Sequence, residues 1–142
     1  NADSIKKADD AAAAVAFAGR GNTRRDSMMP NGMVAGELIY TPMSQFIARN
    51  INTYCWDIYK MKPNSNWTTK AIEWASHGLT IYRSPELYDT YARLLYMNGS
   101  TEAAIEAQQK AVLLMKERQH PSTNFVKVLE AMKAGKPVFD LE

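Results

Sequence analysis

Apolar side chains recur at three- and four-residue steps through Phe46, Ile47, Ile51, Tyr54, Ile58 and Met61. That period puts them on one helix face, predicted over 43–62. Pro63 ends the helix, because a proline disfavours helical backbone in the residue before it. Pro42 is expected at the first helical position, where a missing N–H costs little. A second helix is predicted from about Trp67 to Arg83, with Ile72, Trp74, Ala75, Leu79 and Tyr82. Ser84-Pro85-Glu86 reads as the next helix start: a capping hydroxyl, a first-turn proline and an acid at the positive helix end. This third helix runs to about Met97 and closes at Asn98-Gly99. Ser100 is expected to cap a fourth, ending near Gln119. Pro121-Ser122-Thr123 opens a fifth, stopped by Gly135 and Pro137. Upstream, the Ala-rich stretch 4–18 predicts a further helix, ended by Gly19 and Gly21. A polar stretch over 22–36 and a short extended piece over 37–41 follow it.

The pattern also repeats. Tyr54-Cys55-Trp56-Asp57-Ile58-Tyr59 matches Tyr91-Ala92-Arg93-Leu94-Leu95-Tyr96 in its apolar and small positions, offset by 37 residues. Ala71-Ile72-Glu73 matches Ala104-Ile105-Glu106, and Gly78-Leu79 matches Ala111-Val112, both offset by 33. The difference fits a four-residue insertion in the polar stretch Lys62-Pro63-Asn64-Ser65-Asn66. A period of about 34 with two helices per unit marks a helical solenoid. Solenoids present surfaces more often than they house reactions.

The unit from Pro85 to Arg118 resembles a tetratricopeptide repeat (TPR). Tyr91 beside Ala92, then Leu95-Tyr96, the turn glycine Gly99, and the small Ala104 and Ala111 carry the resemblance. Small side chains are needed where two helices cross closely, while large ones fill the gaps between pairs. The motif's terminal proline is absent, with Lys116 near its place. The copy at about 48–83 matches less well, through its longer turn and Gly78 in place of alanine. A second resemblance spans about 50–135 and is carried most specifically by Asp89-Thr90-Tyr91-Ala92. It is similar to the C-terminal helical region of thioredoxin-like disulfide-interchange proteins of Bacteroidota. The resemblance implies a periplasmic or cell-surface setting beside a Cys-x-x-Cys redox domain. No such motif stands in this sequence, so no redox residue is carried over.

Composition narrows the function classes. A net charge of +2 and no Lys/Arg run give no footprint for nucleic acid. Arg20, Arg24 and Arg25 form one small basic cluster, read as a solvated loop. No apolar run reaches the roughly 18 residues of a membrane span. A lone cysteine, Cys55, rules out an intrachain disulfide, and it matches Ala92 as a small buried residue at a helix crossing. His77 and His120 lack ligand spacing. Trp67 and Trp74 read as core or helix-end packing. There is no nucleophile–base pair, phosphate loop or metal cluster, so no catalytic, metal or cofactor site is assigned.

The expectation is an all-α chain: 1–42 a helical and irregular segment, 43–136 a TPR-like domain of two hairpins and a capping helix, 137–142 a tail. In a repeat of this kind the first helix of each pair lines the concave face. That face would carry Arg49, Asn52, Trp56, Tyr59 and Lys60 from one helix, and Glu86, Asp89, Arg93, Tyr96 and Met97 from the next. Aromatic and Arg side chains often dominate interfaces, so these residues form a candidate groove for a protein or peptide partner. Alternatively, Trp56, Tyr59 and Tyr96 pack against the N-terminal segment or the fifth helix. The basic-and-Asn set that clamps a peptide carboxylate in chaperone-binding repeats is not matched, since Trp56 and Thr90 stand at two of its polar places. The leading expectation is non-catalytic protein binding or scaffolding. The alternative is the accessory domain of a thioredoxin-like oxidoreductase whose redox domain is not in this chain. Oligomerisation stays open.

Overall fold

The structure, a computed structural model, describes residues 3–5, 7–9 and 42–141. Their regular secondary structure is all helix, with no strand among the described residues. By its internal packing the chain divides into Asn1–Phe46 and Ile47–Glu142. In the first unit, residues 3–5 and 7–9 are helical. The rest of the expected 4–18 helix, the Arg20, Arg24 and Arg25 cluster and the stretches over 22–36 and 37–41 lie outside the described residues.

Helix α1 spans Met43–Lys60, α2 Ser65–Ile81, α3 Pro85–Met97, α4 Thr101–Glu117 and α5 Thr123–Lys133. Pro42 stands just before α1, its carbonyl accepting from the Phe46 N–H at 3.0 Å, rather than at the expected first helical position. The first turn of α1 holds no acid of its own. Asp9 supplies one, accepting from the Met43 and Ser44 N–H groups and the Ser44 hydroxyl.

Short links join the remaining helices, so neighbours fold back on one another. Asn64 caps α2 by accepting from the Trp67 N–H, 3.2 Å away. Ser84 caps α3 by accepting from the Leu87 N–H at 3.3 Å, with Pro85 in the first turn. Helix α3 ends in a Schellman turn: Ser100 N–H donates to the Leu95 carbonyl and Gly99 N–H to that of Tyr96, with Gly99 at φ 85°. Ser100 stands at the N-cap position of α4 as expected, but that turn keeps its side chain from capping. Its N–H is drawn back to α3, its backbone sits at ψ 64°, and its side chain makes no capping bond to α4. The same turn closes α4 with Gln119 at φ 58° and α5 with Gly135 at φ 67°.

Small residues form the crossings. Ala71, Ala75 and Gly78 are the buried strip of α2, against Ala48 and Cys55 of α1 and Leu87 and Leu94 of α3. Ala92 of α3, Ala104 and Ala107 of α4 and Val128 and Met132 of α5 form a second cluster. The repeat-matched pairs Cys55/Ala92, Ala71/Ala104 and Gly78/Ala111 are all buried. A Cβ on Gly78 would come within 2.9 Å of Leu87 Cδ2 and 3.1 Å of Ile51 Cγ2, so three helices meet at this position. Trp67 and Trp74 are 55% and 44% exposed and so not core, while Trp67 stands in the first turn of α2, at a helix end. They lie beside the alanine strip, which takes the close crossing because large rings would hold the helices apart. No described helix is long and apolar enough to cross a membrane.

Candidate functional site

The centre of the candidate site is Arg93, buried near the middle of α3. Its Nε donates to Asp89 Oδ2 at 2.8 Å, one helical turn back. Its two terminal nitrogens donate to main-chain carbonyls of the stretch after α5: Nη1 to Val138 at 2.9 Å and Nη2 to Leu141 at 2.7 Å. The guanidinium also lies 5.2 Å from the Trp56 ring centroid. A buried charge is costly unless paired and hydrogen-bonded, and these partners satisfy it. Asp89 is held in turn by Gln108 of α4, whose Nε2 donates to Asp89 Oδ1 at 2.7 Å and to the Phe125 carbonyl at 3.1 Å. The Gln108 Oε1 is buried with no protein partner.

Aromatic rings build the other wall. Trp56 and Tyr59, nearly one turn apart on α1, stack at 5.3 Å. Tyr59 meets Phe139 at 5.2 Å, and Lys62 Nζ stands 4.0 Å from the Phe139 ring centroid. Burial pushes the Tyr59 phenol above its ordinary range, and the Arg93 guanidinium pulls it partway back. Tyr96 donates its hydroxyl to the Lys136 carbonyl at 3.0 Å. Beside Phe139 an open, largely apolar cleft runs between Pro63, Met97 and Pro137.

Trp56, Tyr59, Asp89, Arg93, Tyr96 and Met97 therefore gather around residues 136–139 and 141. Asn52 stands apart, accepting from the Thr90 hydroxyl at 2.7 Å and tying α1 to α3. Lys60 reaches over the Trp56 ring at 5.3 Å. Glu86 is exposed and accepts from the Ser84 hydroxyl at 2.6 Å, so it belongs to the helix cap. Arg49 is exposed. Sequence reasoning missed the segment itself, with Lys62, Gln108 and Phe139. The one available signal was apolar Val138, Phe139 and Leu141 after the Gly135-Lys136-Pro137 stop.

Cys55 is fully buried and donates to the Ala71 carbonyl at 3.4 Å. Burial raises its thiol to about 11, away from the low values of reactive cysteines. His77 and His120 are exposed, and no cluster of His, Cys, Asp or Glu among the described residues would hold a metal ion. No protein-family model, curated protein or solved structure matches this chain.

Proposed function

We propose that this chain is a non-catalytic protein-binding domain of TPR-like helical hairpins, which takes a short polypeptide segment of a partner at the Arg93 cleft. One observation carries the reading. The cleft holds a polypeptide segment now, by groups that read polypeptide: a guanidinium on two main-chain carbonyls, a phenol on a third, and an aromatic wall against Phe139. The matched burial of Cys55/Ala92 and Ala71/Ala104 supports the repeat reading, because a hairpin repeat needs small residues at equivalent crossings.

The test is affinity of a purified partner, first captured by crosslinking on the native chain. Trp56→Ala and Tyr96→Ala should each weaken that complex about tenfold, the scale of a truncated interface anchor. Unchanged affinity in both variants, with unchanged helical circular dichroism, refutes the assignment.

A further inference from the structure

Only Gly135, Lys136 and Pro137 join the segment in the cleft to the end of α5 and its cap residue. Within it the Leu141 N–H donates back to the Val138 carbonyl at 3.3 Å, closing a single turn. Arg93 grips the first and last carbonyls of that turn. Among its side chains, Val138 is buried in the second cluster and Phe139 packs on Tyr59. Asp140 is exposed. The segment held in the cleft is thus a turn with an aliphatic residue followed by an aromatic one.

The occupant is anchored by buried Val138 but open at its other side chains: Phe139 and Leu141 are half-buried, and the open cleft between Pro63, Met97 and Pro137 flanks the phenyl ring. Release of the segment would open Arg93 to water, which hydrates a guanidinium well, so the vacated site keeps its charge without a stranded partner.

We propose that residues 138–141 are an internal occupant of a turn-binding site, and that a partner protein's turn of the pattern aliphatic–aromatic–acid–aliphatic binds there by displacing them. This rests on the protein-binding reading above and adds the ligand's chemistry and its gate. A short tether holds the internal turn at an effective concentration in the millimolar range, and an incoming turn must overcome it. The intact chain therefore binds such a turn more weakly than a chain whose own turn is released.

The test uses the 142-residue chain and a fluorescein-labelled peptide of the sequence Lys136 to Glu142. In the released variant, Val138→Gly, Phe139→Ser, Asp140→Gly and Leu141→Ser are combined. By fluorescence anisotropy it should bind the peptide at least about tenfold more tightly than the parent. A peptide with alanine at the Phe139 place should lose that binding. Should the fourfold replacement unfold, Phe139→Ala alone is read in the same way, since it removes the ring contact with Tyr59 that helps seat the internal turn. Two results overturn the proposal: a helical released variant with no saturable binding up to millimolar peptide, or equal affinity in parent and variant. A captured partner that is lost on Trp56→Ala but binds parent and released variant equally overturns the gate and leaves the protein-binding reading standing.

Discussion

Arg93→Met isolates the polar centre of the molecule. The substitution keeps an unbranched stem and removes the charge. The Arg93 side chain is 4% exposed and its partner Asp89 is 14% exposed. The variant loses the bonds to Asp89, Val138 and Leu141 and leaves the Asp89 carboxylate with Gln108. Removing one member of a buried pair costs about 3–5 kcal/mol, because the other charge is stranded. Asp89 keeps some access to water, which argues for the lower end, about 3 kcal/mol. Urea unfolding followed by circular dichroism measures it. The midpoint should fall with the slope unchanged, as expected when stability alone changes. Asp89→Asn in the same chain removes the stranded charge and should recover about 1–2 kcal/mol, a coupling typical of residues in one network. Lys70→Met breaks an exposed pair, with Lys70 and Glu73 58% and 55% exposed. It should cost under about 0.5 kcal/mol. A loss below about 1 kcal/mol for Arg93→Met, or no recovery with Asp89→Asn, refutes the reasoning.

Three further predictions concern packing, capping and the thiol. Gly78→Ala should destabilise by about 1 kcal/mol: the helix gains about as much as alanine's propensity supplies, but overpacking against Leu87 and Ile51 costs more. A higher urea midpoint in that variant would contradict the close approach. Ser84→Ala should cost about 1 kcal/mol by removing a cap, whereas Ser100→Ala should cost only a few tenths, because Ser100 makes no capping bond. Equal losses in thermal melts would reverse that assignment. At pH 8, Cys55 should react with iodoacetamide at least about 100-fold more slowly in the folded chain than in urea, since its thiol is raised from 9.0 to about 11. Mass spectrometry of the alkylated chain reads the rate. The same shift makes stability pH-dependent in one direction. The unfolded thiol ionises first, so the stabilisation is complete below pH 9 and is lost as pH rises towards 11. The raised Tyr59 phenol acts in the same direction above pH 10.

The helices were legible because their signals are local. The apolar period and the Pro and Gly punctuation place α3 at Pro85–Met97 directly. Errors arose where one local cue stood for a geometry set elsewhere. Ser100 has the right side chain for a cap, but the turn at Gly99 fixes its backbone first. Asn64 lies in the polar stretch read as an insertion, yet it is the cap of α2. Trp67 and Trp74 read as core or helix-end packing, but the crossing selects the small residues beside them and leaves both rings half-exposed. Arg93 was placed at the site from its repeat position, but its burial was not legible. Two of its partners are main-chain carbonyls 45 and 48 residues away, and a carbonyl carries no mark of residue type.

Unlike residues at sequence-matched positions explain how residues 136–141 are held between α1 and α3. Trp56 and Arg93 occupy matched positions, as do Tyr59 and Tyr96. Matched positions on α1 and α3 bring the ring and the guanidinium within 5.2 Å, where the aromatic face attracts the cation. Two arginines at these places would set like charges together in a poorly hydrated space. Two tryptophans would offer one indole N–H apiece, without the pair of donors that a single guanidinium sets on the Val138 and Leu141 carbonyls. One of each gives an aromatic wall and a cation with donors left over after Asp89 is satisfied. The tyrosines diverge less but divide the work: Tyr59 turns its ring to Phe139, and Tyr96 its hydroxyl to the Lys136 carbonyl. The unlike residues at sequence-matched places on α1 and α3 thus hold the main chain of residues 136–141 by different means.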